Sequence, residues 1–163
     1  MNQQNIQDAD PQDFSKIANE LGSLLRSGGT LGGVFNLTTQ ECEALYQMGY
    51  GLYKQGRYAD AFKVFSQAVL YNHLEPRYLM GLAGSAQMIG RYQDALQHYS
   101  TATLIALNDP LPPFHAAECL IALGRLEDAA ESLEMAILLA GNQHPSVTTR
   151  AQALLTPLRS TGS

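Results

Sequence analysis

The stretches GRYADAFKVFSQA from Gly56, GRYQDALQHYSTA from Gly90 and GRLEDAAESLEMA from Gly124 begin 34 residues apart and align without a gap. Self-similarity at such a period marks a stack of supersecondary units, each able to bury its apolar face only against its neighbours. Gly56, Gly90 and Gly124 fall in register, as do Arg57, Arg91 and Arg125, then Asp60, Asp94 and Asp128, then Ala61, Ala95 and Ala129; Ala68, Ala102 and Ala136 complete the set. A helix-turn-helix unit explains these residue types. The small Ala side chains let helices approach, while Phe65, Tyr99 and Leu133 fill the space between them. The Gly ends the first helix, where a left-handed backbone is cheap only without a Cβ. Counting back from that turn places the units at about 42–75, 76–109 and 110–143. Pro76 and the Pro110, Pro112, Pro113 cluster then sit at the starts of units two and three, where a missing N–H costs little.

Stacked units need capped ends. Residues 13–26, FSKIANELGSLLRS, carry Phe14, Ile17, Leu21 and Leu24 at helical spacing and end at Gly28 and Gly29, which predicts an N-terminal helix. The stretch from Pro145 to Leu158, with Val147, Ala151, Leu154 and Leu155, reads as a closing helix with a polar outer face. The expectation is one all-α domain over 13–158, capped by a helix at about 145–158, with flexible ends at 1–12 and 159–163. No stretch of period-two alternation is long enough for a strand.

The composition fits an ordinary folded protein, at 163 residues with 45% hydrophobic and 15% charged side chains. A net charge of -5 and only 10 scattered basic residues argue against nucleic acid, which asks for a clustered Lys/Arg surface. Cys42 and Cys119 lie in separate helical patterns and form no CxxC pair, so neither a zinc site nor a disulfide framework is indicated and a reduced, cytosolic setting is expected. The polar start MNQQNIQDAD lacks the basic and apolar regions of a secretory signal, and no stretch reaches the roughly 18 apolar residues of a membrane span.

The spacing and residue types resemble the tetratricopeptide repeat, with Leu45, Leu79 and Pro113 where a large aromatic usually begins the first helix. In such a stack the first helix of each unit lines a concave face through its positions 2, 5, 9 and 12. These are Glu43, Tyr46, Tyr50 and Tyr53 in unit one, Arg77, Met80, Gly84 and Gln87 in unit two, and Leu111, Phe114, Glu118 and Ile121 in unit three. In the first of these helices Leu45, Met48, Gly49 and Leu52 supply a packing stripe, so Tyr46, Tyr50 and Tyr53 form a second stripe at i, i+4, i+7. Tyrosine joins an apolar ring to a polar tip at low entropic cost and recurs as a binding anchor. Either these rings line a peptide groove, or they pack on the N-terminal helix or rest at the surface. Gly84 weakens its helix, and serves either close approach of a ligand backbone or tight helix packing. His115, Glu118 and Cys119 share a helical face, but no second cluster completes a metal's four ligands. His115 and Cys119 read better as packing between units, with Glu118 accepting hydrogen bonds from a ligand. No Ser/His/Asp grouping, phosphate loop or paired acids offers a route to catalysis.

A sharper likeness lies in SGGTL at 27–31, LYQMGYGLYKQGRYADAFKVF at 45–65 and PPFHAAECLIALGRLEDA at 112–129. From about residue 20 to 155 the chain resembles the class II chaperones of bacterial type III secretion systems, which serve pore-forming translocators. The resemblance implies a non-enzymatic chaperone of the bacterial cytoplasm without a cofactor. It would hold an extended, proline-containing segment near the N-terminus of a hydrophobic translocator and so prevent aggregation and premature association. Carried over, the groove falls on Tyr46, Tyr50, Tyr53, Tyr58 and Tyr99 with Phe114, His115 and Glu118, beside Met80 and Gly84 from the positional reading. It also implies a homodimer through Phe14, Ile17, Leu21, Leu24 and Leu25. The short tail without a charged run and the extra proline of LPPF before Phe114 depart from the family pattern. Two other roles fit a groove of this kind: a scaffold joining two folded proteins, and a secretion regulator.

Overall fold

A computed structural model describes residues 19–20, 22–24, 26–30 and 38–160. Within 38–160 seven helices follow one another: α1 (Thr39–Lys54), α2 (Tyr58–Tyr71), α3 (Pro76–Met88), α4 (Tyr92–Ile105), α5 (Leu111–Ala122), α6 (Leu126–Ala140) and α7 (Pro145–Ser160). Each packs on the next in chain order, and α1 also touches α3, as α5 touches α7. The described residues contain no strand. The fold is all-α, with three tandem tetratricopeptide-type pairs and a closing helix; described residues between 19 and 26 add a helical segment before them.

Each internal turn is built the same way. Gly56, Gly90 and Gly124 have φ of 76°, 79° and 73°, the left-handed region that a Cβ penalises. The next N–H reaches back to close the helix, Arg57 to Leu52 O, Arg91 to Ala86 O and Arg125 to Leu120 O, at 2.9 to 3.0 Å. The same three arginines stand at the N-caps of α2, α4 and α6 and bind Asp60, Asp94 and Asp128 in the following turn. Those carboxylates also face the positive end of their helix dipole. The repeated Gly-Arg-x-x-Asp pattern is thus a turn with its own ion pair.

The repeated alanines are the contact points between helices: Ala61, Ala95, Ala129, Ala102 and Ala136 are 0% exposed and Ala68 is 1% exposed. Phe65, Tyr99 and Leu133 are buried beside them. Phe65 lies between two glycines of neighbouring helices. A Cβ on Gly49 would stand 2.9 Å, and one on Gly81 2.5 Å, from its ring carbons. Real Cβ atoms do not come so near, so α1 and α3 close on this ring only because both residues are glycine.

Both ends show how the stack is finished. Thr38 caps α1 in a reciprocal box, its backbone N–H donating to Glu41 Oε2 at 2.8 Å while the Glu41 N–H donates to Thr38 Oγ1 at 3.2 Å. At the other end Val147, Ala151 and Leu155 of α7 cover the core formed with α6. The closing helix continues to Ser160, and Arg159 binds Glu134, so 159–160 belong to the helix rather than to a flexible tail. Of the residues expected to form a dimer contact, Phe14, Ile17, Leu21 and Leu25 lie outside the described residues. Leu24 is half-buried, and its carbonyl accepts the Gly29 N–H at 2.9 Å as the backbone turns at Gly28, whose φ is 83°.

Candidate groove on the first helices of the repeats

Helices α1, α3 and α5 border a groove of about 580 Å³. Tyr46, Tyr50 and Tyr53 of α1 line one wall, spaced so that successive rings share a face of the helix. Tyr50 is the most open of them, 46% exposed, and stacks on Tyr46 with ring centroids 6.1 Å apart. Tyr46 is held more firmly: it stacks on Tyr78, tilts against Phe65 and lies 4.8 Å below the guanidinium of Arg77. Tyr53 meets the edge of Tyr58 at 5.0 Å.

Arg77 fixes the near end. It binds Glu75, the N-cap of its helix, and reaches Glu43 of α1 at 3.1 Å, 34 residues away, so each of the two units supplies half of this second pair. Arg77 and Glu43 are both about half exposed, and an ion pair that open to water contributes only a few tenths of a kcal/mol up to about 1 kcal/mol. Its value lies in holding the guanidinium over Tyr46.

The floor comes from α3 and α4. Met80 and Gly84 line it, and a Cβ on Gly84 would meet Tyr53 and the Tyr99 hydroxyl at an ordinary 3.6 Å. Space therefore remains above Gly84. The tight packing that its sequence position left open belongs instead to Gly81 one turn earlier. Tyr99 is 2% exposed, with its hydroxyl donating to Gln87 Oε1 at 2.8 Å. Burial, reinforced by Cys119, Tyr53 and Glu118, pushes its phenol far up, so it remains a donor at every physiological pH.

At the far end Glu118 gathers a polar network. Its Oε2 accepts from Gln87 at 3.3 Å and meets His115 Nδ1 at 2.8 Å, while Arg150 of α7 lies 3.6 Å from Oε1. Burial alone would raise the Glu118 carboxyl, but the bonds from His115 and Gln87 and the charge of Arg150 outweigh it and hold the group below its usual range. His115 stacks on Tyr99 from the neighbouring unit at 5.5 Å, and both His115 and Glu118 line the groove. Cys119 beside them is 0% exposed, its thiol pushed up to about 12 by burial and then by the charge of Glu118. A thiol so far from ionising is a packing group rather than a nucleophile.

Three expectations need correcting. Phe114 shares the register of Tyr46 and Met80, yet it is 1% exposed and sits in the core with Leu133 and Val147, because in the last unit α7 covers that position and Arg150 lies 4.5 Å over its ring. The wall there is made by Leu111, His115 and Glu118 instead. Tyr58 begins α2 and supports Tyr53 from behind, outside the residues that line the groove. Met48, expected in the packing stripe of α1, is 57% exposed. Sequence reasoning placed Arg77 and Gln87 at inward positions without giving them a role, and it missed Asp109, at the turn before α5, altogether.

The tetratricopeptide-repeat family model matches residues 46–110. Low calcium response locus protein H of Yersinia pestis is 32% identical over 65 residues, a stretch that spans 40% of this chain and 39% of that relative. PcrH of Pseudomonas aeruginosa, solved in complex with the chaperone binding region of PopD, is 36% identical, with a TM-score of 0.75 covering 78% of this chain and 97% of that one. The Yersinia enterocolitica type III secretion translocator chaperone SycD is 32% identical, with a TM-score of 0.74 covering 80% of this chain and 98% of SycD. With this identity across nearly the whole of both solved relatives, and with the turn, alanine and tyrosine pattern described above, the chain belongs to the type III secretion translocator chaperones.

Proposed function

We propose that this protein holds an extended apolar segment of a type III secretion translocator in the groove between α1, α3 and α5, in the bacterial cytoplasm, and does no chemistry on it. The observation that carries this reading is the wall of Tyr46, Tyr50 and Tyr53 facing the Gln87, His115 and Glu118 network across an open floor at Gly84. Such a groove offers apolar anchor sites along one side and hydrogen-bond acceptors along the other, which suits a chain without regular structure. Occupying it would keep the segment from aggregating or pairing early. PcrH has been solved with segments of PopD and PopB, and SycD with a peptide of YopD.

Among the described residues no helix is long and apolar enough to cross a membrane. Homodimerisation through the helix that contains Leu24 forms part of the proposal. It is supported by the apolar spacing of Phe14, Ile17, Leu21, Leu24 and Leu25 and by SycD having been solved as an alternative dimer. The scaffold alternative asks for a groove that grips charged tails. Among the described residues Arg77 is the one Lys or Arg lining this groove, and it is engaged by Glu43 and Glu75, so that alternative has little support.

Calorimetric titration with the chaperone binding region of PopD tests the reading. Micromolar or tighter binding that changes little between 0.1 and 0.5 M salt is expected, since apolar anchors rather than exposed ion pairs drive it. Binding that vanishes at the higher salt would replace the apolar groove with an electrostatic one.

A further inference from the structure

The far wall of the groove holds an imidazole whose two nitrogens are in different states. His115 Nδ1 lies 2.8 Å from Glu118 Oε2, and the same oxygen accepts from Gln87 at 3.3 Å. The Glu118 carboxyl sits below its usual range, so at neutral pH it is ionised and can only accept. Nδ1 must then carry the hydrogen that it donates, and in the uncharged ring this leaves Nε2 as a bare acceptor. No described residue donates to Nε2. Among the described residues no unpartnered side-chain nitrogen or oxygen is buried, so Nε2 opens on solvent, and the open space beside His115 is the groove that it lines.

The ring is also held in place. It stacks on Tyr99 of α4 at 5.5 Å and meets the Phe114 ring edge-on at 5.2 Å, both of them buried, while Glu118 pins Nδ1. An acceptor fixed in this way loses little freedom when a ligand meets it. Glu118 itself is engaged inside the protein, with two donors on Oε2 and Arg150 at 3.6 Å from Oε1. The acceptor role that its sequence position suggested therefore passes to the histidine.

The surroundings also narrow the donor. A Lys or Arg side chain would seek an uncompensated carboxylate, but Arg150 offsets Glu118, and Asp109 turns Oδ1 back to the Leu111 N–H at 2.9 Å. An extended segment lying between the walls carries a backbone N–H at every residue except proline, and has no regular structure in which to pair it.

We infer that His115 Nε2 accepts a hydrogen bond from one backbone N–H of the partner segment, with Glu118 as the positioning residue that keeps the ring hydrogen on Nδ1. The inference rests on the groove reading above and adds a register to it: the partner residue lying on His115 cannot be proline, whose nitrogen has no hydrogen.

The test uses a synthetic chaperone binding region of PopD in which one backbone amide at a time is replaced by an ester, which removes the N–H and keeps every side chain. One such ester should weaken binding to the wild type by about three- to tenfold, the range for a single hydrogen bond. The same ester should cost nothing against His115→Asn, whose amide N–H takes the place of Nδ1 and leaves nothing at Nε2. It should still weaken binding to His115→Gln, whose side-chain oxygen reaches the place of Nε2. Circular dichroism melts check the fold of both variants, and a long-range proton–nitrogen spectrum of the wild type at pH 8 should show Nδ1 protonated and Nε2 bare. A bare Nδ1, or ester penalties that are the same in the wild type and His115→Asn at every position, overturns the inference and leaves the groove reading intact. If instead His115→Asn cancels the penalty of truncating a partner side chain, the donor is that side chain and the backbone assignment is refuted. A wild type that does not bind the unmodified region removes the groove reading and the inference with it.

Discussion

Gly81 and Gly84 lie one turn apart on α3, and the structure assigns opposite signs to the same substitution at the two sites. At Gly84 an added methyl would rest 3.6 Å from Tyr53 and from the Tyr99 hydroxyl, an ordinary contact. Gly84→Ala therefore collects the helix-propensity difference, about 1 kcal/mol, with little steric cost. At Gly81 the methyl would stand 2.5 Å from Cε1 and Cζ of Phe65. That ring is 1% exposed and packs so closely on the Gly49 backbone that a Cβ there would stand 2.9 Å from it, so it has little room to step aside toward α1. Overpacking of this kind costs about 1 to 3 kcal/mol and occasionally more, which outweighs the propensity gain. For a chain of this size about 1 kcal/mol moves Tm by roughly 2 to 4 °C. Thermal melts followed by circular dichroism should show Gly84→Ala unchanged or a few degrees higher and Gly81→Ala several degrees lower. The reasoning fails if Gly81→Ala melts with the wild type, or if Gly84→Ala is the more damaging of the two.

Further outcomes follow from single contacts. Tyr50→Ala removes a half-exposed ring and should weaken the PopD complex by about tenfold or more with a small change in Tm, whereas Tyr46→Ala, which gives up contacts to Tyr50, Tyr78, Phe65 and Arg77, should lower both. Paired melts and titrations separate them, and equal loss of Tm in both variants would count against Tyr50 as a free anchor. The Glu118 carboxyl is lowered in the folded chain, so its contribution is full above its ordinary value of 4.5 and is lost as pH falls through the lower folded value. Urea unfolding between pH 6 and 3 should therefore show a shallower acid loss for Glu118→Gln than for the wild type, and parallel curves would remove Glu118 from the network. With Cys119 buried and its thiol held up near 12, a disulfide reagent at pH 8 should modify one thiol, Cys42, in the native chain and two in guanidinium; two in the native chain would contradict the packing of α5. Thr38→Ala opens the capping box of α1 and should cost about 1 kcal/mol, read as a small fall in Tm.

The repeat was legible because its signals are local. A glycine at the turn, an arginine and aspartate around the next helix start, and alanines at the contacts all act within a few residues of their own position. The tyrosine stripe of α1 was legible for the same reason, since helical spacing alone places three rings on one face. What failed depended on which unit a residue occupies. Phe114 holds the same register as Tyr46, but α7 covers only the last unit, so the position that is groove wall in unit one is core in unit three. Tyr58 is adjacent in sequence to the groove residues yet opens the other helix of its pair. Gly81 follows no repeat, standing in register with Gln47 and His115, and Gly49 shares only its small size and burial with Ala83 and Ala117 in the same register. The need for these two glycines arises from one ring, Phe65, wedged between helices distant in sequence. Met48 was counted as packing because its spacing suited a stripe, whereas it is 57% exposed.

The most direct test of the groove is an amide chemical-shift titration of the labelled chain with the chaperone binding region of PopD. Shifts should concentrate on the inward residues of α1, α3 and α5, above all at Tyr50, Gly84 and Glu118, and the amides of Gln97, Thr101 and Glu131 on α4 and α6 should stay in place. Shifts confined to α2, α4 and α6, with Tyr50 and Gly84 unmoved at saturation, would contradict the assignment of the tyrosine-lined groove as the binding site.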